Sequence, residues 1–131
     1  MSPMDEQAKA LVEAGWQAVR DDERVRVELL EAAYAKHRLR RLYPWTGMGE
    51  LHVSRCTEWP WTWDIFYIEP AAGAYRVSGP SRSETIGPAT TAQEAVAMVV
   101  RRLPSGTVAA FVGTRDQLAA YEEEGSRKRA D

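Results

Sequence analysis

The chain has 131 residues, 44% hydrophobic and 27% charged, which suits one soluble domain over residues 1–131 with a single core and flexible ends at 1–4 and 126–131. Its 17 basic and 19 acidic residues leave a net charge of −2, so no general attraction to nucleic acid or to an anionic membrane is expected. The lone Cys56 excludes an intrachain disulfide and a cysteine-built zinc module, and no apolar run approaches the ~20 residues that cross a bilayer, so a reducing, cytoplasmic setting follows.

Ala8, Leu11, Val12, Gly15, Trp16 and Val19 recur at helical spacing and predict an amphipathic first helix. Asp21 and Asp22 interrupt it and, as acidic residues at a positive dipole end, open a second helix with Val27, Leu30, Ala33, Tyr34 and His37 facing inward and a basic end, "KHRLRR". Pro44 and the glycines of "TGMGE" mark a boundary.

Four short strands are predicted next, at Leu51–Cys56, Trp63–Ile68, Tyr75–Ser78 and Ser83–Ile86, with turn signals at Trp59-Pro60, Ala72-Gly73 and Gly79-Pro80. Links this short require antiparallel neighbours. Thr91 with Glu94 forms a capping box for a helix whose stripe is Ala92, Ala95, Val96, Val99, Val100 and Leu103, stopped by Pro104 and Gly106. Val108–Gly113 reads as a buried strand; Thr114 with Gln117 caps a last helix carrying Leu118 and Tyr121 and ending near Gly125, before a disordered "SRKRAD" tail. This order predicts an α+β fold: an antiparallel sheet with helices packed on one face, two N-terminal helices and a capped helix after the strand run.

The phrases "AAYAKHRLRRLYPWTGMGELHVSRCTEWPWTWDIFYI", "YRVSGPSRSETIG", "TTAQEAVAMVVRRLP" and "FVGT", in that order, resemble a family of small actinobacterial proteins of unknown function labelled as associated with natural-product biosynthesis. The resemblance runs from the second helix almost to the C-terminus. It implies a place in such a pathway, one making a modified peptide among the options, and brings no catalytic residues with it.

The richest stretch for a site is "CTEWPWTWDIFY". On an extended strand, Trp61, Trp63, Ile65 and Tyr67 share one face and Thr62, Asp64, Phe66 and Ile68 the other, which puts Trp63 in the core. Trp59 and Trp61 flank Pro60 on a turn; beside Arg55 and Glu58 they form either a packed hairpin end or an aromatic rim for a peptide or aromatic small molecule. Cys56 and His52 lie four strand positions apart, roughly 13 Å, too far for a local nucleophile–base pair or for a metal site with Glu58. Arg55 in "SRC" and Arg82 in "SRS" could jointly hold an anion, or simply pair with Glu58 and Glu84. The strand–helix order is similar to half of a double-stranded-RNA-binding domain, yet the helix start carries Gln93 and Glu94 where phosphate-binding lysines belong.

The expected function is therefore an accessory or recognition protein without cofactor or metal, binding a precursor peptide or a partner biosynthetic enzyme through a sheet edge and the Arg55, Glu58, Trp59, Trp61, Asp64 and Arg82 region. One alternative is a small enzyme of the same pathway, with Asp64, Glu58 or Cys56 acting on an intermediate in a Trp-lined pocket while Arg55 or Arg82 orients it. Another is an immunity-type protein, a class often built as small α+β domains.

Overall fold

The helical stripe at the N-terminus becomes α1, Pro3–Arg20, in a computed structural model that describes residues 3–72, 74–80 and 85–130. Trp16 anchors the helix. Its indole is fully buried, and Nε1–H donates to the carbonyls of Arg40 (2.8 Å) and Leu42 (3.2 Å), so the polar tip of a large apolar ring is satisfied inside the core.

The second helix starts later than expected. Asp22 accepts from the Arg24 backbone N–H (3.0 Å) and Nε (3.1 Å) and from the Thr46 hydroxyl (2.7 Å), and this side-chain turn competes with helix formation. Helix α2 accordingly spans Val27–Tyr34. Val27, expected inside, is 61% exposed, while Leu29, Leu30, Ala32 and Ala33 are buried. A short α3, His37–Arg40, follows and contributes Leu39 to the core.

The Arg24 side chain, the Thr46 hydroxyl and the Arg24 amide hold the Asp22 carboxyl at about 2, below its ordinary 3.8. A carboxyl whose pKa is lowered by folding stabilises the fold while ionised. Its contribution is complete above pH 3.8 and is lost as the pH falls through about 2. Urea midpoints measured from pH 6 down to pH 2 should therefore decline less steeply for Asp22→Asn than for the parent; parallel declines would assign the acid sensitivity to other carboxylates.

Five strands form one antiparallel meander in the order β1 (Tyr43–Gly47), β2 (Glu50–Ser54), β3 (Tyr67–Ala71), β4 (Ala74–Ser78) and β5 (Thr85–Ala89). Strand β1 lies where the sequence suggests only a boundary. Pro44 is tolerated because β1 is an outer strand with a single neighbour. Met48 and Gly49, at φ 54° and 81°, supply the two positive-φ residues of a two-residue hairpin turn. Strand β3 begins at Tyr67 rather than Trp63, so residues 55–66 leave the sheet as a loop. Of the predicted Ser83–Ile86 strand, Ser83 lies outside the described residues, and β5 extends past Ile86 to Ala89.

One sheet face carries Leu51, Val53, Ile68, Tyr75 and Val77, buried with the apolar sides of α1, α2 and α4, Ala92–Arg101. The helices cover that face, as the pattern of elements requires. Helix α4 has the predicted cap: Thr91 Oγ1 accepts from the Glu94 N–H at 3.1 Å. The returning arm lands one residue earlier, with Glu94 accepting from the Thr90 amide (3.2 Å) and hydroxyl (2.9 Å).

The stretch 108–113 is not a regular strand. It makes one bridge, Phe111 with Cys56, and Val108 is 66% exposed. Both outer strands of the sheet lie elsewhere, so this segment is fastened as a strap, Ala110 N–H to the Arg41 carbonyl and Phe111 N–H to that of Arg55, 2.9 Å each. Helix α5, Arg115–Ala130, opens with a complete capping box, Thr114 and Gln117 each donating a backbone N–H to the other's side chain at 2.9 and 3.2 Å. It continues through Gly125 and most of the tail expected to be disordered, where Glu123–Arg127 and Glu124–Lys128 pair one turn apart. No helix among the described residues is long and apolar enough to cross a membrane.

Candidate functional site

The sheet face opposite the helices is aromatic and polar. Cross-strand partners Tyr43↔Ser54, Trp45↔His52 and Tyr67↔Ser78 share that face, because directly opposed residues of antiparallel strands point the same way. Their rings form a continuous stack. Trp45 lies on His52 at 3.9 Å and 14°, and His52 on Tyr67 at 4.5 Å and 16°. On the other side Trp61 stacks with Trp45 (5.9 Å) and with Tyr43 (5.5 Å). His52 is 4% exposed and donates to or accepts from Glu50, itself buried, at 3.0 Å.

Trp61 reaches this stack from the 55–66 loop, whose path is set by a hydroxyl. Ser54 Oγ accepts from the backbone N–H of both Cys56 and Thr62, at 3.2 Å each, drawing the two ends of a tight excursion together. Thr62 Oγ1 takes the Arg55 N–H at 3.2 Å. Arg55 then clamps the far side, contacting Asp64 at 2.6 Å and 2.7 Å and Glu122 of α5 at 3.1 Å. Burial opposes the Arg55 charge, but Asp64 and Glu122 outweigh it and hold the guanidinium above its ordinary pKa.

Trp63 departs from expectation. It is 38% exposed and sits at φ 55°, a left-handed conformation that a bulky residue adopts only when its surroundings impose it. On a strand the alternation of side chains puts Trp63 in the core; with 61–66 out of the sheet, the period of two no longer applies. Its ring stands edge-on to Trp45 at 5.0 Å and to His52 at 5.7 Å. The tryptophan that fills the core is Trp16. Trp59, 65% exposed, stands perpendicular to Trp61 (6.1 Å, 85°).

The predicted site residues thus divide. Trp59, Trp61, Arg55 and Asp64 occupy one loop, with Arg55 and Asp64 holding it through each other. Glu58 is exposed and makes no ion pair with Arg55. Arg82 and its neighbour Glu84 lie outside the described residues. Cys56 is fully buried, its Sγ within 3.5 Å of the carbonyls of Glu58 and Pro60, which makes it part of the loop's packing. Among the described residues no group of three histidine, cysteine or acidic side chains could hold a metal ion. That Tyr43, Trp45, His52 and Tyr67 form one stack is not legible in the sequence; the alternation in "YPW" is the available signal, masked by the boundary character of Pro44.

Beside the stack, Tyr43, Trp45 and Trp61 share an open groove of about 670 Å³ with the α1–α2 turn, where Arg24 pairs with Asp22 and leaves Asp21 and Glu23 in excess. Indole faces next to carboxylates form a surface suited to a cation, which is attracted by the ring quadrupoles and by the negative rim.

The family described as "Family of unknown function (DUF6193)" matches residues 10–114, well over half of the chain. The protein belongs to that family. The match takes in the whole sheet and the aromatic loop and ends where α5 begins. No curated protein and no solved structure matches the chain.

Proposed function

We propose that this member of the family is a recognition protein that seats a cationic segment of a partner peptide on the Tyr43, Trp45, Trp59 and Trp61 surface. The observation that carries the reading is the placement of exposed Trp59 perpendicular to half-buried Trp61, next to a groove edged by Asp21 and Glu23. Contiguous exposed aromatic surface marks interaction sites, and tryptophan is the residue most enriched at their energetic centres. A lysine or arginine side chain laid over an indole gains both apolar contact and cation–π attraction. Strand β1, the outer strand beside the groove, offers an edge along which an extended peptide can lie. The setting we propose is natural-product biosynthesis, with a precursor peptide or a pathway enzyme supplying the segment; it rests on the sequence phrases quoted above.

Selection of a random 12-residue peptide library on the folded protein tests this. Lysine- or arginine-bearing sequences should be enriched, and Trp61→Ala should weaken the selected peptides by about tenfold, the loss of one interfacial hot spot. Enrichment of acidic or uncharged sequences, or affinity indifferent to Trp61→Ala in a natively folded variant, would refute the reading.

A further inference from the structure

A second concavity lies away from the aromatic surface. It is a groove of about 1110 Å³ walled by α1, α3, the strap at 104–112 and the first turns of α5, large for the roughly 300–1,000 Å³ typical of small-molecule sites. Its apolar lining includes Val12, Phe111, Leu118 and Tyr121, with the Phe111 and Tyr121 rings 5.3 Å apart. Tyr121 and the adjoining Val108 are 64% and 66% exposed.

Basic side chains outnumber acidic ones on the walls, Lys9, Arg40, Arg41 and Arg55 against Asp5, Glu13 and Glu122. Glu13 accepts from the Tyr34 hydroxyl at 2.7 Å, a bond that lowers its pKa and raises that of Tyr34. Glu122 is held by Arg55. The remaining acid, Asp5, also has a partner. Arg40 acts on the Glu13 carboxylate and helps to lower its pKa, while Lys9 and Arg41 line the groove without an ion pair to any described carboxylate. Arg40 lies over the Tyr34 ring at 5.3 Å. Arg41 donates through Nη2 to the Thr107 carbonyl at 2.9 Å, and its buried Nε–H finds no acceptor. Buried polar groups are normally satisfied, so an orphaned guanidinium N–H beside a cavity favours an incoming anion.

We infer that this groove is a binding site for an apolar anion, a small molecule with a carboxylate or sulfonate on an aromatic or alkyl body. The body lies on Val12, Phe111 and Leu118, and the anionic group meets Lys9, Arg40 and Arg41. Tyr43, Trp45, Trp59 and Trp61 are not among the residues lining this groove, so the inference stands apart from the peptide-binding reading.

Two dyes test it with the full chain: 1-anilinonaphthalene-8-sulfonate and its uncharged analogue N-phenyl-1-naphthylamine. The natively folded protein should bind one sulfonate dye saturably. Lys9→Glu with Arg40→Glu, both changes on the groove wall, should weaken the sulfonate by about tenfold or more and leave the neutral dye unchanged. Ala8→Trp, which fills the groove from α1, should weaken both. Trp61→Ala should change neither. No saturable binding, equal loss of both dyes on charge reversal, or binding sensitive to Trp61→Ala but not to Ala8→Trp would each overturn the assignment.

Discussion

Replacing His52 with alanine is expected to destabilise the fold by on the order of 3–5 kcal/mol, because it removes one partner of a buried ionisable pair and empties the centre of an aromatic stack. The imidazole touches Trp45 on one face and Tyr67 on the other, and each such ring contact contributes roughly 0.5–1.5 kcal/mol beyond area burial. Glu50, 6% exposed, loses its 3.0 Å contact with the ring nitrogen. His52→Phe keeps the stack and loses the polar contact, whereas His52→Gln keeps a polar contact and loses the stack; each should fall between the parent and His52→Ala in urea unfolding. If His52→Ala lowered stability by less than about 1 kcal/mol, well under the handicap expected of a broken buried pair, the 55–66 loop rather than the stack would be what orders this face. The same variant should also abolish peptide binding, since Trp45 and Trp61 stack outward from His52.

Trp16→Ala is expected to cost a further large amount, about 3–5 kcal/mol, typical of a fully buried tryptophan truncated to a methyl group. That is a large share of the roughly 5–15 kcal/mol that stabilises a domain. The loss has two parts. The cavity left under α1 cannot be filled by Val12 or Val19, which are already packed, and the carbonyls of Arg40 and Leu42 lose the indole donor. Trp16→Phe separates them, retaining most of the volume without the N–H, and should lose clearly less. Denaturant midpoints followed by far-ultraviolet dichroism would measure both; equal losses for the two variants would show that the hydrogen bonds, not the volume, fasten α1 to the α3–β1 junction.

These two residues show why some of the molecule was legible in advance. Trp16 falls on a stripe repeated every three to four residues, and such a stripe can only be buried if the segment is a helix. His52 carried no such signal. Its partners, Trp45 and Tyr67, come from different strands, one hidden behind the boundary signal of Pro44 and the other starting at Tyr67, four residues after the alternation begins.

The loop at 55–66 makes the same point at the site. "WPWTWD" alternates as a strand does, and its alternation is real in the sequence but has no sheet to express it. Ser54, Thr62 and Arg55 bend the chain out of register instead, so Trp59, Trp61 and Trp63 reach three different environments. Arg55 was legible as an arginine that would seek carboxylates; that they would be Asp64 and Glu122, the latter 67 residues away, was not.

What the amino-acid order determined by itself was everything that acts within one turn or one hairpin: the amphipathic α1 and α4, the paired caps at Thr91 and Thr114, and the antiparallel sense of the short-linked strands. Those features depend on groups four residues apart or fewer, whose geometry is set by the backbone they belong to. Tertiary structure alone decided which rings were covered and which stayed open, because the exposure of a side chain is a property of what packs on it from elsewhere in the chain. The α1–α2 turn, β1 and the excursion between β2 and β3 meet only after folding, and their meeting turns scattered tryptophans and carboxylates into one surface.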